Sequence, residues 1–294
     1  MTARALVLTI VYCLPTTLFA QQVPDTAFRP LLQRPAYAVG TGPVILIDEG
    51  HSNLKTSTGG YFPFAELLRR DGYIVRGSPG FVTAETIRGA SVLVSASARE
   101  PFNDAEVSLL QDWVKAGGAI LLIVDHPPGS RADAFGTPLR NVIEAARNLA
   151  DAFGIRLRNA AARDPRRTPS GRLVFRRSDG TLVNHAITRG IDSVATFGGS
   201  SFQLEVPGEP LLVFGPGVYA YPQRNEPNPL PLQGNFQGAV LQFGKGRVAA
   251  FAEAAMFSAQ LSGPSRSPMG MNAPIAGQNA AFLLNLLHWL VGPL

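Results

Sequence analysis

Hydrophobic and polar positions along this chain follow two periods, and the switch between them marks out the elements. Val44-Ile45-Leu46-Ile47 is an unbroken apolar run, the pattern of a strand covered on both faces. Phe64, Leu67 and Leu68 then recur at helical spacing and predict a helix near Phe62 to Arg70, stopped by Gly72. Tyr73-Ile74-Val75 and Ser91-Val92-Leu93-Val94-Ser95 read as the next two strands. The clearest helix follows. Asn103 caps it, Glu106 completes a capping box, and Val107, Leu110, Trp113 and Val114 form its apolar stripe before Gly117-Gly118 end it. Ala119 to Val124 is a fourth strand. Thr137 and Pro138 open another helix, running to about Phe153, with Gly154 as its stop.

Past Gly154 the pattern loosens. Arg156 to Asn184 is polar, with turn signals at Gly171 and Ser178-Asp179-Gly180, and reads as an insertion or hairpin. Leu211 to Phe214 and Ala239 to Phe243 look like strands around a Pro-, Asn- and Gly-rich loop, Pro216 to Gly238. Val248 to Ala252 is the last strand, and Asn279 to Val291 a closing amphipathic helix. Strands alternating with helices predict an α/β fold, a mostly parallel sheet with helices on both faces.

Composition adds bounds to this picture. The chain has 294 residues, 46% of them hydrophobic and 16% charged, which suits one large domain with a full core. Arg4, the apolar stretch Ala5 to Leu14, Pro15 and Ala20 read together as a secretory signal peptide over residues 1–20. Residues 21–40 read as an extended leader with Pro24, Pro30 and Pro35, and the domain proper covers 41–294. These readings predict a periplasmic or secreted protein with no membrane span after cleavage. Cys13, the only cysteine, leaves with the signal segment, which excludes disulfides, cysteine-ligated metals and a thiol nucleophile from the mature chain. Net charge is +5. Much of the excess lies at Arg163, Arg166, Arg167, Arg172, Arg176 and Arg177, read as a solvated hairpin in preference to a surface for an anionic partner. No nucleic-acid recognition module is visible.

Candidate chemistry collects at strand ends, where open α/β sheets bind their ligands. The first strand runs into Asp48, Glu49 and His51, the third into Ser95 and Ser97, the fourth into Asp125 and His126, and the late strand into Glu253. Asp48, Glu49, His51, Asp125, His126 and Glu253 are the candidate catalytic residues. Three chemistries suit them. A Zn²⁺ or Mg²⁺ site has suitable ligand types but lacks a spacing such as His-Glu-x-x-His. Metal-free hydrolysis would use Glu49 or Glu253 as acid or base and His51 or His126 as proton carrier. The third is binding alone, of a sugar or a peptide. Each residue also has a structural reading: Asp48 as a loop cap, His126 as a packed loop residue, Glu253 as an acceptor for backbone amides of Met269 to Asn272. Phe197 to Phe202, containing Gly198-Gly199, is either a backbone nest or an ordinary turn. A P-loop, a Gly-x-Ser-x-Gly elbow and a dinucleotide signature are absent from the sequence.

Asp48-Glu49-Gly50-His51, Phe102 to Glu106, Ala116-Gly117-Gly118 with Asp125-His126, Gly244 to Arg247 and Glu253 to Phe257 together resemble an uncharacterised family of the class I glutamine-amidotransferase-like superfamily. The Asn279 to Trp289 stretch is similar to its closing helix. The resemblance covers about residues 43 to 291. It implies a flavodoxin-like three-layer sandwich with its site at the carboxyl edge of the sheet. Where amidotransferase members carry a catalytic cysteine, this chain has Ser95-Ala96-Ser97-Ala98, so a thioester route is not expected. Two functional readings stand: a hydrolase of an extracytoplasmic carbohydrate or peptide-like substrate, and a non-catalytic binding or assembly module of the cell envelope. The partner would be a small molecule, a glycan or an envelope protein. The sequence specifies no cofactor.

Overall fold

A computed structural model describes residues 22–128, 140–167, 172–222 and 227–292. The signal segment with Cys13, the Thr137-Pro138 helix start and Gly171 lie outside the described residues.

Nine strands form the main sheet: β1 (Val44–Asp48), β2 (Ile74–Ser78), β3 (Ala90–Ala96), β4 (Ala119–Ile123), β5 (Ile155–Arg158), β6 (Ser201–Leu204), β7 (Glu209–Val213), β8 (Phe236–Phe243) and β9 (Gly246–Phe251). Four α-helices are described: α1 (Phe62–Arg70), α2 (Asp104–Lys115), α3 (Val142–Ala152) and α4 (Asn279–Val291). The sheet order is β2-β1-β3-β4-β9-β8-β6-β5, with β7 also paired to β8. The pairings from β2 across to β9 are parallel. Those among β9, β8, β7, β6 and β5 are antiparallel.

Alternation along the strands sends side chains to two apolar layers. Ile45, Ile47, Val94, Leu121 and Phe251 pack with α1 and α4. Leu46, Leu93, Ile120, Leu122 and Val248 pack with α2 and α3. The inner faces of the helices match the predicted stripes. Phe64, Leu67 and Leu68 are buried on α1, Leu110 and Val114 on α2, and Ile143, Ala146 and Leu149 on α3.

The architecture corrects the expected flavodoxin-like α/β sandwich. Strands dominate, the main sheet is mixed, and three smaller antiparallel sheets accompany it. The physical reason is connection length. Parallel neighbours need a long crossover, and helices supply it only in the first half of the chain. After α3 no α-helix joins successive strands of the main sheet among the described residues, and those strands pair antiparallel. Gly244-Lys245 closes the β8–β9 hairpin, with Gly244 at φ 64°.

The polar segment predicted as an insertion is distributed over three sheets. It supplies β5 at the sheet edge, Ala161–Arg163 paired with Tyr219–Tyr221, and Leu173–Arg176 paired with Ser193–Thr196. The leader, described from Gln22, is tied down as well. Gln22–Pro24 pairs with Ala259–Ser262, and Asp71 Oδ1 accepts from Ala36 N at 2.8 Å.

Candidate functional site

The six expected residues lie at the carboxyl edge of the parallel strands, but the structure divides them into three groups. Asp48 ends β1 and is fully buried, as is His51 three residues later. His51 Nδ1 faces Asp48 Oδ1 at 2.9 Å, and its Nε2 lies 3.2 Å from Glu106 Oε1. The ring stacks on Phe102 with centroids 3.8 Å apart, and Phe81 meets it edge-on. Asp48 also accepts from Gly50 N and Asn53 Nδ2, both at 3.1 Å. Glu106 accepts from Val82 N at 2.7 Å and Asn103 N at 2.9 Å. Burial alone would lower the His51 pKa, but the two carboxylates outweigh it and raise the pKa above the ordinary histidine value. The result is a sealed ionic knot joining β1 to α2. Its ring nitrogens are both engaged, which leaves His51 no open position for a substrate.

Glu49 forms the second group by itself. Its Oε1 accepts from Ser57 N at 2.7 Å and Ser57 Oγ at 2.6 Å, and the carboxylate packs over Gly77, where a side chain would collide with it. This geometry fixes the loop after β1.

The third group is Asp125, His126 and Glu253. Asp125 and His126 follow β4 and are the accessible members, with side chains 25% and 50% exposed. Asp125 Oδ1 accepts from His126 N at 2.7 Å and lies 3.8 Å from His126 Nε2, while His126 Nδ1 donates to Pro127 O at 2.8 Å. The Asp125 charge raises the His126 pKa. Burial and Arg163 act against it, and Glu253 adds to it. Glu253 follows β9 and is buried beneath. Burial and the nearby Asp125 push its carboxyl up to about 8, although Ala255 N and Met256 N donate to its two oxygens at 2.9 and 2.7 Å. Those amides, and not the Met269 to Asn272 loop, are its partners.

Sequence reasoning passed over two further groups. Lys55 lies close enough to Asp125 and Glu253 for both to act on its pKa. It is one of only three lysines in the chain, a rarity that could have singled it out. Glu106 was read only as a helix cap. The Gly198-Gly199 turn, with φ of 144° and 86°, packs against His126 and Glu253, and Gly199 O accepts from Ala162 N at 2.9 Å. Among the described residues no group of three or more His, Asp and Glu side chains is arranged to hold a metal ion.

A family model described as a domain of unknown function, DUF4350, matches residues 53–260, about 70% of the chain. The chain belongs to the DUF4350 family. The DUF4350 match spans β2 to β9 and therefore contains Lys55, Asp125, His126 and Glu253, whereas Asp48, Glu49 and His51 lie before it. No curated protein gives a significant match. Among solved structures, the "mmIFT52 N-terminal domain" is similar at 18% identity and a TM-score of 0.61, covering 85% of this chain and 98% of that one. Cytoplasmic proteins STM1381 and STM3548 of Salmonella typhimurium each give a TM-score of 0.51, at 15% and 13% identity. Each covers 85% of this chain and 99% of its own. At such identities the likeness shows a shared fold. These matches correct the amidotransferase-like resemblance: the family and its structural neighbours give it no support, and the sheet-rich fold conflicts with it.

Proposed function

We propose that this DUF4350 protein handles a polar ligand at the carboxyl edge of β4 and β9, and hydrolyses a carbohydrate or peptide-like substrate there by metal-free acid–base chemistry. The observation that carries the reading is the Asp125–His126 pair. It is the only part of the expected set that is both accessible and electrostatically coupled, and it stands over a buried carboxyl whose pKa is pushed up to about 8. Titratable groups whose pKa values are raised by burial and by one another's charge at one edge suit general acid–base work. His126 would carry the proton and Asp125 would hold it charged. Residues 1–20 support an extracytoplasmic setting for the substrate.

The test is a hydrolysis screen of the purified protein on chromogenic glycosides and peptides, with Asp125→Asn and His126→Ala alongside. Each variant is expected to lower kcat by about 100-fold or more while the protein stays folded. Full activity in both variants overturns the assignment. A second reading is a binding or assembly module of the cell envelope. It is favoured by the sealed knot around His51, which removes Asp48 and His51 from reach. Ligand retention without turnover in any assay would select it.

A further inference from the structure

The segment Leu54-Lys55, just after the His51 knot, crosses the same edge and carries an unusual set of hydrogen-bonding groups. Lys55 Nζ donates to Gln260 Oε1 at 3.2 Å, and among the described residues it forms no ion pair, although Asp125 and Glu253 are near enough to act on it electrostatically. Two ammonium hydrogens are thus left without an acceptor among the described residues. The Nε2 of Gln260, a residue only 2% exposed, is buried and has no partner among the described residues. The hydroxyl of Ser97, a residue 1% exposed, is likewise buried and without a partner among the described residues, while its carbonyl accepts from Leu54 N at 3.2 Å. Buried polar groups are ordinarily satisfied, so two residues that both bond to this short segment and each keep an unpartnered polar atom call for an occupant.

Backbone strain collects at the same place. Ser52 and Ser97 have φ of 51° and 54°, two of the three non-glycine residues with positive φ among those described. Such strain persists where surrounding structure enforces it, and it gathers at functional sites.

The inventory also selects a ligand chemistry. Lys55, Gln260 and Ser97 present mainly donors, and Asp125 offers a carboxylate acceptor. With Glu253 protonated at neutral pH, the Lys55 and Asp125 charges offset one another. An anionic group entering here would meet Asp125, whereas neutral hydroxyls can both accept from Lys55 and donate to Asp125. Resting on the ligand-handling reading above, we propose that Lys55, Ser97 and Gln260 form the recognition subsite for a neutral, hydroxyl-rich ligand, a saccharide. The Ser97 and Gln260 atoms are closed to solvent in this conformation, so the ligand enters as Leu54-Lys55 moves aside.

The test measures thermal shift and calorimetric affinity of the full protein with cellobiose, maltose and N-acetylglucosamine, against glucuronate and inorganic phosphate as anionic comparators. A neutral saccharide is expected to raise Tm, and Lys55→Met and Ser97→Ala to weaken its binding by about tenfold or more each. Lys55→Met is further expected to raise the Tm of the ligand-free protein, because it removes a desolvated charge without an ion-pair partner. A lower ligand-free Tm would mark Lys55 as a structural strut and overturn the proposal. So would stabilisation by the anions alone, by none of the sugars, or equally in wild type and both variants; the last two would leave ordered water as the occupant. If saccharide binding depends on Lys55 but no substrate is hydrolysed, the subsite stands and the hydrolase reading fails. If Asp125→Asn abolishes hydrolysis while Lys55→Met leaves binding untouched, the reverse holds.

Discussion

His51 is packed between two carboxylates and two phenyl rings, and its contribution is to stability. Replacing it with alanine would leave Asp48 and Glu106 facing one another in a buried space without a cation. The expected loss is about 3–5 kcal/mol, read from urea denaturation; a loss below about 1 kcal/mol would contradict the knot. Glu253 gives a prediction in pH. Its folded pKa, about 8, lies above the ordinary value of 4.5, so the stability tied to its protonated form is complete below pH 4.5 and is lost as pH rises through 8. Relative to a Glu253→Gln variant, the wild type should lose on the order of 3 kcal/mol between pH 5 and pH 8. Parallel pH profiles for the two proteins would show that burial does not hold this proton. At this scale the sequence was only partly legible. It placed Asp48, His51, Asp125, His126 and Glu253 at strand ends, but the same residue types serve a sealed knot and an open pair. What separates them is cover from Phe81, Phe102 and Glu106, which the strand itself does not encode. Lys55 escaped notice because its bonding partner, Gln260, lies 205 residues away.

Among the elements, α2 shows how local chemistry is tied to the edge. Asn103 accepts from Glu106 N at 3.0 Å, and Glu106 accepts in return from Asn103 N. Asn103→Ala should therefore destabilise the protein by about 1 kcal/mol, and Asn103→Asp should restore most of it. A greater loss would mean that the cap also positions Glu106 against His51. Helices and long strands were legible because their periodicity is local: α1 and α4 occupy the very residues their stripes predicted. Pairing was not. The alternation of strand and helix suggested a mostly parallel sheet, but β5 to β8 pair antiparallel, β6 with β5 and both β6 and β7 with β8. Short strands such as Gln22–Pro24 and Ser267–Gly270 carry too few residues for any period to emerge.

The parts of the whole molecule are joined by buried amides. Asn279, at the start of α4, donates to Ala195 O at 2.8 Å and Met256 O at 3.0 Å and accepts from Ala195 N at 3.0 Å. It thereby binds three regions that are far apart in sequence. Asn279→Leu, close in size but unable to form these bonds, should cost about 3 kcal/mol by stranding buried backbone groups. Urea denaturation checks it; a variant as stable as wild type would show that α4 docks through its apolar face alone. The pairing of β4 with β9 has a kinetic side. β4 pairs with β9, whose residues reach the ribosome's exit 128 positions after β4 is complete. At translation rates of about 5–20 residues per second, that interval is about 6–26 s. Throughout it, the apolar β4 presents an open hydrogen-bonding edge to the rest of the emerging chain.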